Sequence, residues 1–368
     1  IKARKKVSQE RREFAKNAQS TEILSDEDLN RNNPTFIEQS LSTLAGVQVD
    51  KRSNIGGQRI VLRGYGNDQK FNNWGVKMYW NNMPLTNAEG ITLLDDVDFS
   101  YINNIEVIKG PASTMYGGGI GGTVKFYTRP SFEKGTSISQ NTMVGSYKHF
   151  QSVTQLYTSD TNYNFNVNYG HIQTDGYRPS GYGLKNFVNI NGEYKLNGKQ
   201  KITLFASQGY SHEKVSGQIS YQDYYAGIDN GNVNYINKGA GSKIQSTRVG
   251  VGHVWEINTH LKNTTTVFYS SVNHDRIADK AFEVSTSPNI GFRTVFQHNY
   301  QWGDFTNQID FGAEVQDSKS QISNYRFSGT NPANPMEMAP LSKGSYFKYN
   351  NNQSNYFAVE RLTYQPWQ

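Results

Sequence analysis

The feature that most constrains this chain is an alternation of apolar and polar residues that runs through its last two thirds. In residues 163–169 (YNFNVNY) every odd position is aromatic or aliphatic and every even position is Asn. Residues 305–316 (FTNQIDFGAEVQ) alternate in largely the same way. Because successive side chains of a β-strand point to opposite faces, this period of two predicts strands with one apolar and one polar face.

About ten such segments follow residue 130, at the spacing expected for a strand plus a turn. Their expected centres are near residues 140, 154, 167, 190, 205, 251, 267, 297, 311 and 359. Short connections are expected near residues 158–162, 196–200, 257–260 and 302–305, and long ones near residues 212–243, 274–290 and 320–351.

Two architectures accommodate such strands. A soluble sandwich turns the apolar face inward, whereas a membrane barrel turns it outward to lipid and keeps a polar lumen. Strands of about 10–14 residues are long enough for a tilted bilayer crossing. Aromatic residues near the predicted strand ends are typical of an interfacial girdle; they are Tyr169, Tyr194, Tyr210, Trp255, Trp302 and Trp367. Together with the alternation of short and long connections, this favours the barrel.

Composition excludes several other classes. The 368 residues include no Cys, which rules out a disulfide scaffold, a thiolate metal site and a Cys nucleophile. No run of about 18 apolar residues occurs, so a transmembrane helix is not predicted. The net charge is +6, but the basic residues do not repeat with aromatic residues along one element, so nucleic-acid binding is not predicted.

Residues 1–130 differ from the rest and predict a small α+β domain, followed by a second domain over residues 131–368. Ile37, Leu41 and Leu44 recur at helical spacing before Gly46, which predicts a short helix and its end. The segments RIVLR, VKMYW, IEVI and TVKFYT, which start at residues 59, 76, 105 and 123, predict strands.

The glycine-rich stretch at residues 117–122 (GGGIGG) does not predict a nucleotide site. A dinucleotide fingerprint must open a helix, whereas residues 123–129 continue as a strand. The glycines are instead interpreted as allowing a tight turn and a close approach of the chain to a surrounding wall.

Four segments in order resemble the plug domain of TonB-dependent outer-membrane receptors. They are residues 41–49 (LSTLAGVQV), 56–66 (GGQRIVLRGYG), 76–85 (VKMYWNNMPL) and 105–117 (IEVIKGPASTMYG). Asn81-Asn82 stands where the family usually has Asp-Gly, an exchange that a turn tolerates. Residues 131–368 resemble the first part of the family's barrel in architecture alone.

The resemblance implies a mainly β protein in which a small α+β plug lies inside a large antiparallel transmembrane β-barrel. Such barrels have about 22 strands, of which about ten are represented here. About twelve further strands, some 250–300 residues, are therefore expected outside this sequence, as are the TonB box and a signal peptide.

The resemblance also implies a function without enzymatic chemistry, intrinsic cofactor or bound metal. The expected activity is import of a scarce chelate, most often a ferric siderophore, across the outer membrane of a Gram-negative cell. TonB and its inner-membrane energising complex would drive it. The alternatives left open are haem, cobalamin, copper (Met336 and Met338 would suit it) or a glycan as ligand, a partner such as a surface lipoprotein, and a receptor or adhesin that does not transport.

The resemblance further implies which residues contact the ligand. Plug loops that face outside are expected to form the floor of the site; the candidates are Tyr65, Asn73, Trp74, Asn87 and Tyr116. The connection at 212–243 adds Tyr221, Tyr224, Tyr225 and Tyr235, with Lys214 and Lys238 suiting an anionic chelate. Arg63 and Lys109 fall where the family often places plug residues that pair with barrel glutamates, which predicts an electrostatic lock.

Overall fold

The N-terminal part of the molecule is a small mixed α/β unit. The computed structural model describes residues 20–31, 36–67, 73–110, 113–128, 134–278, 281–327 and 341–364. The strands of this unit are β1 (Ser20–Leu24), β2 (Val47–Lys51), β3 (Gln58–Leu62), β4 (Asn73–Trp74), β5 (Val76–Trp80), β6 (Met83–Pro84), β7 (Ile91–Thr92), β8 (Asn104–Lys109) and β9 (Gly122–Tyr127). Its helices are α1 (Asp26–Asn30), α2 (Ile37–Leu41) and α3 (Ser113–Tyr116).

A five-stranded sheet in the order β1-β8-β9-β5-β6 forms the centre of this unit. Strands β5 and β9 are parallel, and the other neighbours are antiparallel. Every residue of β5 is buried, because this strand is covered on both faces. The predicted helix is present as α2, with Ile37 and Leu41 buried, and Gly46 adopts a positive φ of 71° shortly after it.

The C-terminal part is one antiparallel sheet of ten strands, each paired with the next along the chain. They are β10 (Gly135–Gly145), β11 (His149–Ser159), β12 (Tyr163–Thr174), β13 (Gly183–Lys195), β14 (Gln200–Lys214), β15 (Gly241–Glu256), β16 (Leu261–Ile277), β17 (Ala281–Trp302), β18 (Phe305–Phe327) and β19 (Leu341–Tyr364). Helices α4 (Tyr221–Tyr225) and α5 (Val233–Asn237) lie between β14 and β15. All ten predicted strand centres fall inside these strands, which confirms the predicted fold class.

The connections at one end of the sheet are short, as predicted, at residues 160–162, 196–199, 257–260 and 303–304. At the other end, the expected long connection at 274–290 was wrong. Strands β16 and β17 continue through that range and pair up to Ile277 and Phe282. The last three strands have 22 to 24 residues, more than the roughly 10 needed to cross a bilayer.

Among the residues described, no helix is both long and apolar enough to cross a membrane.

The burial of the two faces of the sheet is opposite to that in a soluble protein: apolar side chains are exposed and polar side chains are buried. On β12, Tyr169 is 53% exposed while its neighbour Asn168 is fully buried. On β18, Val315 is 37% exposed while Gln316 is 1% exposed. The polar face lies against the N-terminal unit and the apolar face points away from it. This is the arrangement of a membrane barrel around a plug and excludes a sandwich with an apolar interior.

Aromatic residues mark the end of the sheet with the short connections. Tyr194, Trp255 and Trp302 are exposed within one residue of the ends of their strands, as predicted for an interfacial girdle. Tyr169, by contrast, lies in the middle of β12, and Trp367 lies outside the described residues. The division proposed at residue 130 falls between β9 and β10, among residues 129–133, which are not described.

Candidate functional site

The glycine-rich stretch lies where the plug closely approaches its own sheet and the barrel wall. A Cβ atom on Gly117 would lie 3.0 Å from the Cβ of Asn355 on β19. A Cβ on Gly122 would lie 2.2 Å from the carbonyl oxygen of Ile108 on β8. These distances confirm that glycine is needed here for close approach rather than for binding a nucleotide.

We expect Gly122→Ala to destabilise the plug by about 2–3 kcal/mol, because the methyl group would meet a backbone oxygen and φ is +141°. The matched control is Gly198→Ala, where no atom lies within 4 Å of the new methyl group. Limited proteolysis of the purified receptor would report plug loosening. Equal protease resistance of the two variants would contradict the close-packing interpretation.

A buried charged cluster joins the plug to the barrel wall. The carboxylate of Glu314 on β18 lies 2.8 Å from Lys77 Nζ on β5 and 2.8 Å from Arg293 Nη1 on β17. The hydroxyl of Tyr79 donates to the same carboxylate at 2.7 Å. All three charged side chains are under 10% exposed. We call these four residues the Glu314 cluster.

The local sequence explains how this cluster forms. Lys77 and Tyr79 are two residues apart on β5, so they point to the same face of the strand. Arg293 and Glu314 are directly opposite each other on neighbouring strands. The resulting set has two cations around one carboxylate, in a place where a single unpaired charge is costly.

Tyr116 lies beside this cluster. Its ring packs edge-on against Tyr79 with centroids 5.5 Å apart, and the Arg293 guanidinium lies 5.3 Å from the ring centroid. Tyr116 is 7% exposed. Its ring covers the ion pairs, and the ligand contact expected from the sequence stays a prediction.

A second buried pair joins the plug to β15. Arg248 donates to both carboxylate oxygens of Asp96, at 2.5 and 3.3 Å, and the Ser246 hydroxyl also donates to this carboxylate. Burial alone would raise the pKa of Asp96, but Arg248 and Ser246 outweigh it and lower the pKa below its usual value. Nearby, Lys185 Nζ on β13 donates to the carbonyl oxygen of Val97 at 3.0 Å. The plug is thus held by charge on two sides of the wall.

The basic residues chosen from the sequence have other environments. Lys109 pairs with Glu22 and the Ala45 carbonyl oxygen, both within the plug, rather than with a barrel carboxylate. Arg63 is exposed at a positive φ of 50°, and within the described residues the structure records no ion pair for it. The barrel half of the lock could have been found from charged residues on the polar faces of alternating strands. The plug half could not, because Lys77 lies in an otherwise apolar strand.

Two of the plug residues that were predicted to contact the ligand are exposed. Tyr65 is 50% exposed and Trp74 is 44% exposed. Gly121 lies beside both segments: its N–H donates to the carbonyl oxygen of Gly75 at 2.9 Å, and its absent Cβ would lie 2.4 Å from the Cβ of Tyr65. These two aromatic side chains are therefore accessible to solvent.

Asn73 and Asn87 have structural roles that the sequence did not indicate. Asn73 is fully buried, accepts a hydrogen bond from the Ile60 N–H at 2.6 Å and donates to backbone oxygens. Its side chain therefore has no exposed surface in this structure, and the ligand contact expected from the sequence stays a prediction. The side-chain oxygen of Asn87 accepts from the N–H groups of Glu89 and Ile91 at 3.1 and 3.0 Å, so it stabilises its own turn.

The connection between β14 and β15 presents a group of tyrosines. Tyr221, Tyr224 and Tyr225 lie on α4 and are each at least 68% exposed. The hydroxyls of Tyr221 and Tyr225 are 2.9 Å apart. Tyr235 is separate and half-buried on α5, where it packs close to Gly217. The first three form an exposed aromatic surface, and the fourth helps to pack the connection.

Contacts link this connection to the plug. Arg178 donates to Asp229 at 2.6 Å and to the Gly217 carbonyl oxygen at 3.2 Å, joining residues 175–182 to residues 215–240. The Asn54 side chain of the plug donates to the carbonyl oxygen of Gly181 at 2.8 Å. A shift of the plug residues between β2 and β3 would therefore be transmitted to residues 175–182 and, through them, to residues 215–240.

Comparison with known families agrees with this architecture. The family model "TonB-dependent Receptor Plug Domain" matches residues 14–123. That range covers β1 to the start of β9, including Lys77, Tyr79 and Asp96 of the two buried ion-pair sites.

Solved structures share the fold over nearly the whole chain. The ferric citrate transporter FecA in the unliganded form matches with a TM-score of 0.76 and 12% identity, over 95% of this chain and 55% of that one. FpvA of P. aeruginosa bound to heterologous pyoverdines gives 0.73 and 12%, over 95% and 50%. The copper transporter OprC gives 0.67 and 17%, over 95% and 53%.

At these identities the structural likeness shows the fold. The chain spans about half the length of the structures it matches. Residues 14–123 therefore match the plug-domain family of TonB-dependent receptors, and the plug together with its ten-stranded wall has the fold of the solved receptors.

Proposed function

We propose that this receptor imports a ferric siderophore across the outer membrane of a Gram-negative bacterium, with energy delivered through TonB. The observation that carries the proposal is the reversed polarity of the ten-stranded sheet. Its apolar face suits lipid, and its polar face is buried against a plug that occupies the lumen. A barrel whose lumen is filled by a plug suits gated import rather than free diffusion.

The ligand class is argued from the exposed side chains above the plug. Tyr65 and Trp74 offer aromatic faces and a hydroxyl, and the tyrosines of α4 offer three further hydroxyls. Such groups suit a chelate whose metal is already fully coordinated, because they contact the organic shell instead of the metal. Similar folds include a ferric citrate transporter and the ferric preacinetobactin receptor of Acinetobacter baumannii.

Import requires the plug to move, and no bond needs to be made or broken. Separation of the plug from the wall must disrupt the Glu314 cluster, the Asp96–Arg248 pair, or both. Breaking a buried ion pair costs about 3–5 kcal/mol, so thermal motion alone rarely opens the path. Work done through TonB, on a plug already loaded with ligand, would supply this energy.

The test is growth of a receptor-deletion strain under iron limitation, complemented with the full-length gene and supplied with one purified compound at a time. The panel contains ferric citrate, a ferric pyoverdine, ferric preacinetobactin, haem, vitamin B12 and copper. We expect rescue by one ferric siderophore, and only in cells with functional TonB. Rescue by haem, vitamin B12 or copper alone, or rescue without TonB, would contradict the proposal.

We expect the double variant Tyr65→Ala/Trp74→Ala to weaken binding of the rescuing chelate about tenfold or more, because two aromatic contacts are lost. Equilibrium binding to the purified receptor, followed by tryptophan fluorescence or calorimetry, measures this. Tyr169→Ala is the matched control, since Tyr169 is also exposed but lies on the outer face of β12. An equal loss in both variants would remove these residues from the site.

A further inference from the structure

A cavity of about 260 Å³ lies between the plug and the barrel wall, at the end of the sheet with the short connections. Its plug side is the Asn81–Asn82 turn between β5 and β6. Its wall side is formed by inward-facing residues of β12 to β16, among them Asn166, Asn191, Thr203 and Thr266.

The cavity exists because two inward-facing positions of the barrel wall carry no side chain. Gly250 and Gly252 occupy inward positions of β15 and line the space. The absent Cβ of Gly250 would lie 3.0 Å from the sulfur of Met83, so a larger residue would close the gap between turn and wall.

The lining combines polar and apolar surface, and its polar part favours hydrogen-bond acceptors. The side-chain N–H groups of Trp80 and Asn191 are buried with no hydrogen-bond partner among the residues that the structure describes, and both residues line the cavity. Lys262 and the Lys201–Glu193 ion pair, 2.9 Å long, add a net positive charge. A suitable occupant is therefore hydrophilic and rich in oxygen acceptors, as water and an oxygen-rich chelate both are.

The two sides of the plug differ in how tightly they meet the wall. Toward β19, Gly117 and Gly118 approach Asn355 and Gln353 without space between them, and the Glu314 cluster lies beside them. Toward β12–β16, the Trp80 ring packs on Phe205 with centroids 5.6 Å apart, and the cavity extends from this contact.

The turn itself is attached to the plug more firmly than to the wall. The Asn81 N–H donates to the Phe126 carbonyl oxygen at 2.7 Å, and its side chain bonds to Thr128. Toward the wall, the Asn81 side chain makes a long hydrogen bond of 3.4 Å to Asn191. Separation of the turn from the wall therefore breaks no short hydrogen bond of Asn81.

We propose that this cavity is the periplasmic segment of the transport path, so that the oxygen-rich chelate leaves the receptor between the Asn81–Asn82 turn and the inner wall of β12–β16. This inference rests on the proposed import function. It assigns the exit to one side of the plug and makes the β17–β19 side a fixed contact.

The first experiment fills the cavity in the full-length receptor. Thr266 faces inward and is 6% exposed, whereas the adjacent Val267 faces outward and is 54% exposed. In cells, uptake of radioactive iron is measured with ferric citrate, a ferric pyoverdine and ferric preacinetobactin. We expect Thr266→Trp to reduce the wild-type uptake about tenfold, equal to a barrier of about 1.4 kcal/mol, with unchanged binding at the cell surface. Val267→Trp should keep wild-type uptake.

A second experiment bridges the cavity without filling it. These 368 residues contain no Cys, so within them Asn82→Cys with Thr264→Cys introduces one defined pair, both residues of which line the cavity. A cleavable bis-maleimide should stop uptake, and cleavage of the linker should restore it. The untreated double variant is its own folding control.

The outcomes separate this inference from the function on which it rests. Normal uptake by Thr266→Trp or by the bridged pair, in cells where the wild type imports, would overturn the exit route and leave import intact. If the wild type imports none of the chelates, both the route and the proposed function are overturned.

Discussion

Replacing Glu314 by alanine is expected to loosen the plug by about 3–5 kcal/mol, the largest effect of any single change considered. The substitution leaves Lys77 and Arg293 facing each other, buried and without a counter-charge. It also removes the acceptor of the Tyr79 hydroxyl. Like charges that are buried together raise the cost beyond that of a single broken pair.

Two readouts follow the loosening. Cells that produce the Glu314→Ala receptor should become sensitive to vancomycin, a large hydrophilic antibiotic, and trypsin should cut the plug of the purified protein faster. Glu256→Ala is the control, because Glu256 is exposed at the end of β15. Arg63→Glu, at the position first suggested by the sequence, should have a smaller effect because Arg63 is exposed. Sensitivity equal to that of Glu256→Ala would contradict the role of the cluster.

The second large effect is expected for Asp96→Asn, which leaves Arg248 buried without its carboxylate. We expect a loss of about 3 kcal/mol at neutral pH. Burial favours the neutral acid, but Arg248 and Ser246 lower the pKa of Asp96 below its ordinary value of about 3.9. The stabilisation is therefore complete above that ordinary value and is lost as the pH falls through the lowered pKa.

Urea unfolding of the plug at pH 7 and at pH 3 would measure this dependence. The difference between wild type and Asp96→Asn should shrink at the lower pH, since below the ordinary pKa the unfolded chain binds a proton at Asp96 that the folded protein binds only at still lower pH. Asp98, whose pKa is raised by burial, is present in both proteins and cancels in the comparison. Arg248→Met added to Asp96→Asn should recover part of the loss. A difference that is independent of pH, with no recovery, would contradict the pairing.

Much of the barrel wall could be predicted because its determinants are local. Each residue of β12 or β18 shows by its polarity which face it occupies, and the pattern needs no distant partner. Two expected loops differ: residues 320–327 and 341–351 of the connection expected at 320–351 are strand, as are most residues of 274–290. The second case has a physical reason. Pro288 has no N–H, and pairing of β17 with β18 is interrupted between Thr286 and Asn289. Pairing with β16 continues across Pro288, so the strand persists where a loop was expected.

The site was less predictable because burial there depends on residues far away in the chain. Tyr65 and Trp74 are exposed, as loop residues usually are. Tyr116 is buried by Arg293, and Asn73 is buried by hydrogen bonds to strands on either side of it. Neither partner set is visible in the local sequence. The same holds for Lys77, whose counter-charge lies on β18.

The most direct test of the central claim is a cysteine scan of residues 163–169, spin-labelled one position at a time in the full-length receptor in lipid bilayers. Collisions of each label with oxygen dissolved in the lipid are then measured. Labels at the odd positions, from Tyr163 to Tyr169, should be accessible, and labels at Asn164, Asn166 and Asn168 should be shielded by the plug. Equal accessibility along the strand, or the opposite alternation, would contradict a lipid-facing wall around a plugged lumen.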